Sequence, residues 1–208
     1  MATGFATIGH STRDLDEFLD MLRQARVGLL VDVRSFPRSR SNPVFNIDRL
    51  PDDLARMQIG YRHCPGLGGR RPKQPDIDPA LNAMWRVQSF HNYADYALGD
   101  AFGTAFDDLL SLGRRRRVAL MCSEAVWWRC HRRIITDYLL FNGEAVDHLM
   151  GPGKTDAATP TPGARRREPG KVVYPAAHVD AGLADSMAGD AGRDAQPAEI
   201  HAARAPGK

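Results

Sequence analysis

The chain has 208 residues, 43% hydrophobic and 25% charged, with a net charge of +3 and three cysteines. These values suit one globular domain, with or without a tail, and they exclude a disulfide scaffold. No apolar stretch approaches the roughly 20 residues of a membrane span, and Met1–Thr7 lacks the basic-then-apolar layout of a secretory signal, so a cytoplasmic protein with no membrane partner is expected.

Strand and helix patterns then alternate. Phe5–Ile8 reads as a short buried strand. Leu15, Phe18, Leu19 and Leu22 fall at helical spacing, with Ser11 or Thr12 as the expected cap. Gly28–Val33 is a near-continuous apolar run, as in a strand covered on both faces. Leu50, Leu54 and Met57 mark a second helix, with Pro51 in its first turn. Ile59–His63 is a third strand. Phe90 to Leu98 and Ala101 to Leu112 predict two more helices. Val118–Met121 is a buried strand, followed by a helix through Ile134, Ile135, Tyr138 and Leu139 that Gly143 ends. Ala145–Leu149 is the last strand. The predicted fold is α/β: a mostly parallel, doubly wound sheet of about five strands with helices on both faces.

Residues 1–150 hold every Trp and Cys. Residues 151–176 carry turn signals and then the apolar run Val172–Tyr174, expected as a loop and an edge strand packed on the same domain. A single domain over 1–176 follows. Residues 177–208 are mostly Ala, Gly, Asp and Pro, too poor in apolar side chains to offset the entropy of ordering, and are expected to be a disordered or weakly helical tail.

In open α/β sheets, ligands bind outside the carboxyl ends of the strands. Five strand ends place polar residues there. The first carries Gly9, His10, Ser11, Thr12 and Arg13, and the second Asp32, Arg34, Ser35, Arg38 and Ser39. The third runs through Cys64 to Gly68, Gly69 and Arg70. The fourth carries Cys122, Ser123 and Glu124, and the last His148 and Gly-Pro-Gly-Lys.

Several strings recur in order: TIGHSTR, VDVRSFPRSRSNPVFN, YRHCPGLGGRR, NYADY, ALMCSEAVWWRCHRRIITDYL, VDHLMGPGKT, TPGAR and VVYPA. Over residues 5 to 176 the chain closely resembles the bacterial domain of unknown function 488 family. The resemblance implies a compact α/β domain and brings no reaction with it.

The segment MCSEAVWWRCHRR (121–133) is the richest in chemistry. Cys122 follows a strand and precedes a helix, where backbone N–H groups and Arg129, Arg132 and Arg133 would favour a thiolate. The loop resembles those of rhodaneses and cysteine phosphatases only weakly, because six residues rather than five separate Cys122 from Arg129 and two tryptophans stand where glycines would cradle phosphate. A zinc site is disfavoured by spacing. Cys122 and Cys130 are eight apart, and neighbours such as Cys130 and His131 point about 100° apart on a helix. An ion held by His10, Asp32, Glu124 and His148 is an open alternative, but no metal ligand set is assigned and no cofactor is named. Gly151-Pro-Gly-Lys-Thr155 lacks the earlier glycine and following helix of a P-loop.

Only four of the 28 basic residues are lysines. Arginine's rigid fork suits phosphate and carboxylate, although a GC-rich genome gives the same bias. Arg34, Arg38, Arg40, Arg70, Arg71, Arg129, Arg132 and Arg133 are expected to form a basic mouth, with Trp127, Trp128 and Tyr61 either stacking on bases or anchoring the loop. Asp32 ends a buried strand and must be paired, either as a structural ion pair or as a base.

These residues define the expected site. His10, Asp32, Cys122 and Glu124 are its catalytic candidates. Ser11, Arg13, Arg34, Ser35, Arg38, Gly68, Gly69, Arg70, Arg129, His131, Arg132 and His148 are its substrate-binding candidates. The expected function is a hydrolase or transferase on an anionic, phosphorylated or nucleotide-like substrate. The alternatives are a non-catalytic nucleotide or nucleic-acid binding module and a metal- or thiol-dependent redox protein.

Overall fold

The computed structural model describes residues 3–167 and 170–176, so the expected tail over 177–208 lies outside the described residues. In chain order the elements are β1 (Phe5–Gly9), α1 (Leu15–Gln24), β2 (Leu29–Asp32), α2 (Leu50–Arg56), β3 (Gly60–His63), α3 (Gln88–Ala97) and α4 (Asp100–Arg115). Then come β4 (Val118–Cys122), α5 (Arg132–Phe141), β5 (Val146–Gly151), β6 (Lys154–Ala157), β7 (Arg165–Arg166) and β8 (Val172–Val173).

The strands β1, β2 and β4 are buried along their whole length, because both faces of the sheet are covered. Alternate side chains serve alternate cores. Phe5, Val118, Leu120 and Cys122 join the core beneath α4 and α5, with Phe102, Phe106, Ile134 and Tyr138. Ala6, Ile8, Ala119 and Met121 face the other way, against Phe18 and Leu22 of α1 and Leu50 and Leu54 of α2.

The main sheet has six strands in the order β3-β2-β4-β1-β5-β6. The first five are parallel and β6 is antiparallel to β5. This is the expected α/β doubly wound fold with one more strand than anticipated. Sequence pattern missed β6 because all four of its residues are exposed, which leaves no apolar alternation to read. Gly151–Gly153 forms the β5–β6 turn, with Gly153 in the left-handed region at φ +66°, so the Gly-Pro-Gly-Lys string is hairpin chemistry. Val172–Val173 is not an edge strand of this sheet. It pairs with Arg165–Arg166 in a separate two-stranded ribbon, while Val172 and Tyr174 bury themselves in the core.

Two helix ends are instructive. Gly143, at φ +83°, follows α5 as expected of a C-terminal glycine. By contrast, α1 is capped by neither Ser11 nor Thr12. Asp14 occupies the cap position, and Ser11 sits in a turn at φ +45°. Among the described residues no helix is long and apolar enough to cross a membrane.

β1 and β4 are neighbours, yet the chain leaves them for opposite faces, β1 towards α1 and β4 towards α5. Diverging connections open a crevice at the carboxyl ends of the strands.

Candidate functional site

That crevice is a cleft of about 370 Å³. His10 enters it after β1, and Arg34, Ser35, Phe36, Arg38 and Ser39 after β2. Gly69 and Arg70 come from the loop after β3, and Cys122, Ser123 and Glu124 from the end of β4. Arg129, Cys130 and His131 come from the turn before α5, and Ser89 and Phe90 from the first turn of α3. Four predicted strand ends therefore meet in one hollow.

Some candidates belong to its framework. Asp32 is fully buried and saturated. Its Oδ1 accepts from the Arg34 backbone N–H at 3.0 Å and from Arg34 Nε at 2.9 Å. Its Oδ2 accepts from Arg34 Nη2 at 2.6 Å and from the Tyr61 hydroxyl at 2.8 Å. Such a carboxylate is a structural ion pair with no lone pair left for proton transfer, and Tyr61 is its partner rather than a stacking face. Arg34 Nη2 also donates to the Phe45 carbonyl, which leaves little of Arg34 for a ligand.

His10 is held on both nitrogens. Nδ1–H donates to the Ser11 carbonyl at 3.0 Å, so Nε2 carries the lone pair and accepts from Arg34 Nη1 at 3.3 Å. The ring stacks on Phe45 with centroids 4.5 Å apart. Burial chiefly, aided by the Arg34 charge, lowers its pKa to about 4, against the hydrogen bond to Ser11. His10 is thus a neutral wall of the cleft.

Other candidates stand outside the cleft lining. Arg13 donates to the Gly9 and Met150 carbonyls and pairs with Glu17. Ser11 shapes the turn. His148 is buried within β5, where Nδ1 lies 2.8 Å from the Thr7 hydroxyl and the ring stacks on Trp127 at 4.2 Å. Burial, with the charge of Arg132, lowers the His148 pKa to about 4. Trp127 therefore anchors the loop, while Trp128 stays 45% exposed.

The glycines of the β3 loop act by close approach. Gly68 has an ordinary extended backbone, and a Cβ there would meet the Ser35 hydroxyl at 2.8 Å. That hydroxyl accepts from the Arg70 N–H at 2.9 Å and ties the loop to β2. A Cβ on Gly69 would fall 2.4 Å from His131 Nδ1. The loop thus lies directly against the imidazole.

The arginines divide by partner. Arg38 pairs with Asp48, and Arg71 donates to the Gly68 carbonyl and lies over Tyr96. Arg133 donates to Thr161. Among the described residues, Arg70 and Arg129 line the cleft with no carboxylate within 4.0 Å. Arg132 lies beneath, 1% exposed, and likewise lacks a carboxylate. Its Nη2 donates to the Glu124 carbonyl, and its Nε donates to Cys130 Sγ at 3.3 Å. A buried cation requires a compensating anion, and the Cys130 sulfur is the neighbour able to become one.

Burial opposes ionisation of Cys130, but the neighbouring Cys122 thiol and the charge of Arg132 outweigh it and lower the thiol's pKa. The neighbouring Cys130 and burial raise that of Cys122. The shifts favour ionisation of Cys130 over Cys122, the thiol on which sequence reasoning centred. Phe36, Ser89, Phe90 and Cys130 were not among the expected site residues. Ser89 and Phe90 lie on a helix start, so a search of strand ends passes over them. Cys130 had been weighed as a metal ligand and set aside on its spacing from Cys122.

Neither a curated protein nor a solved structure matches the chain. A family model described as Domain of unknown function DUF488 matches residues 14–139, a span that begins at the cap of α1, ends within α5 and includes every cleft-lining residue except His10. The match covers more than half of the sequence, and the chain belongs to that family.

Proposed function

We propose that the protein is a hydrolase or transferase for a small anionic substrate, of the phosphate-bearing or nucleotide class. The observation that carries this reading is the pairing in one cleft of two guanidinium groups, Arg70 and Arg129, with no carboxylate partner among the described residues, and a floor of Cys122, Cys130 and His131. Arginine forks bind phosphate in two-point contacts, and their charge is worth most where the walls are apolar. The cleft volume, about 370 Å³, lies in the range of small-molecule sites. In this reading Arg70 and Arg129 hold the charge, and the floor meets the reacting end. Glu124, an exposed carboxylate on the lining, is the group available for proton transfer.

A second reading is a nucleotide or nucleic-acid binding module. Phe36 favours it, since this cleft-lining ring is 66% exposed with Arg70 5.4 Å from its centroid. Stacking on such a ring contributes about 1–3 kcal/mol per base.

Thermal unfolding with orthophosphate, pyrophosphate and nucleoside mono- and triphosphates tests the anion site. At 100 times the Kd, a ligand of the native state adds about 2.7 kcal/mol of stability. The expected result is a rise in Tm with at least one phosphate ligand and its loss in Arg70→Ala/Arg129→Ala. An equal rise in wild type and double variant overturns the reading. Cys130→Ser separates enzyme from binding module: both retain anion binding, and only the enzyme loses turnover.

A further inference from the structure

Three donor atoms converge at the cleft floor: Cys122 Sγ, Cys130 Sγ and a ring nitrogen of His131 all lie within 4.8 Å of one another. Cys130 Sγ and His131 Nδ1 are 3.5 Å apart. A tetrahedral zinc ion, with sulfur at about 2.3 Å and nitrogen at about 2.0 Å, has donor-to-donor edges of about 3.5–3.8 Å. Only a small contraction closes the triangle on an ion.

The imidazole is oriented for that role. Its Nε2 lies 3.0 Å from the Val33 carbonyl. A carbonyl only accepts, so the proton sits on Nε2 and the Nδ1 lone pair faces the sulfurs. Metal-bound histidines are held in this way, the second nitrogen donating to a carbonyl or carboxylate. Helical geometry had argued against neighbours sharing an ion, but it does not govern here. Cys130 is extended at φ −127° and ψ 148°, and α5 begins only at Arg132.

We infer that Cys122, Cys130 and His131 form a site for a thiophilic divalent ion of the zinc class, with its fourth position open to the cleft. Two thiolates cancel the charge of such an ion, and the Arg132 Nε–H donates to one of them, Cys130 Sγ, at 3.3 Å. Two sulfurs and one imidazole select a soft or borderline ion over magnesium or calcium. Since all three residues line the cleft, water or an oxygen of the bound anion completes the coordination. Three protein ligands with one open position is the pattern of catalytic rather than structural zinc. The inference rests on the reading above for the anion and deepens it by naming what the reacting end meets.

Cobalt(II) titration of the full-length, reduced, metal-free protein is the test. One equivalent should give intense visible ligand-field bands and a thiolate-to-cobalt charge-transfer band, both abolished by zinc. Cys122→Ser, Cys130→Ser and His131→Ala should each weaken zinc binding more than about 100-fold, since even supporting residues of metal sites are worth 10–100-fold. Cys64→Ser, outside the trio, should leave the spectrum intact. The absence of a saturable spectrum in wild type, or its persistence in Cys122→Ser, overturns the inference without depending on how any variant folds. Arg70→Ala/Arg129→Ala keeps the two readings apart. An intact cobalt spectrum beside an unaltered anion response in that variant sinks the functional reading and leaves the metal site standing.

Discussion

Arg34→Met is expected to destabilise the fold by about 3–5 kcal/mol, the usual cost of removing one partner from a buried ion pair. Asp32 is fully buried, and Arg34 supplies three side-chain charge-assisted bonds to it. Without the guanidinium, the carboxylate keeps only the Tyr61 hydroxyl and one backbone N–H. The Phe45 carbonyl and His10 Nε2 lose their donor as well. Methionine fills the space but satisfies none of these groups. The double variant Asp32→Leu/Arg34→Met should be less destabilised than the single one, because replacing a buried pair by apolar side chains is often near neutral. Urea unfolding of wild type, single and double variants measures this. A double variant weaker than the single would mean that the pair contributes more than mutual compensation.

Gly69→Ala is expected to damage the site more than the fold. The new Cβ would lie 2.4 Å from His131 Nδ1 and 2.7 Å from its Cγ. The ring has no easy retreat, with Nε2 bonded to the Val33 carbonyl and Tyr93 packed 5.0 Å from its centroid. Overpacking of this kind costs about 1–3 kcal/mol. The displaced imidazole should lower cobalt affinity more than about tenfold, the lower bound for disturbing a ligand's support. Gly103→Ala is the contrasting case. No atom lies within 4 Å of a Cβ there, and the position is inside α4. Removing a glycine from a helix interior should stabilise by about 0.5–1 kcal/mol with unchanged metal binding. Paired Tm and cobalt titrations check both, and an unaltered cobalt affinity in Gly69→Ala would contradict the close approach.

Of the five parallel strands, β1, β2 and β4 were readable as short apolar runs buried along their whole length, whereas β3 and β5 are only partly buried. Their carboxyl ends then located the cleft, since a doubly wound sheet permits ligand sites at few other places. What pattern reading lost was partnership. Arg34 and Arg70 are the same residue type on neighbouring loops, yet one is neutralised by Asp32 and the other has no described carboxylate partner. Nothing in spacing distinguishes them, because the difference arises from tertiary contact. His148 shows the same limit: it lies on the strand expected, but within it, stacked beneath Trp127. The convergence of Cys130 and His131 on Cys122 was hidden by assuming helix where the chain is extended.

Arg70, Arg129, Cys122 and Cys130 line one hollow, and the rate of thiol alkylation probes that most directly. Reduced, metal-free protein would be labelled with iodoacetamide, which is uncharged, and each cysteine followed by peptide mass spectrometry as pyrophosphate is added. The account predicts that Cys122 and Cys130 are slowed as pyrophosphate saturates, that Cys64 is not, and that the protection disappears in Arg70→Ala/Arg129→Ala. Labelling of Cys122 and Cys130 at rates indifferent to pyrophosphate, or protection that survives loss of both arginines, would contradict it.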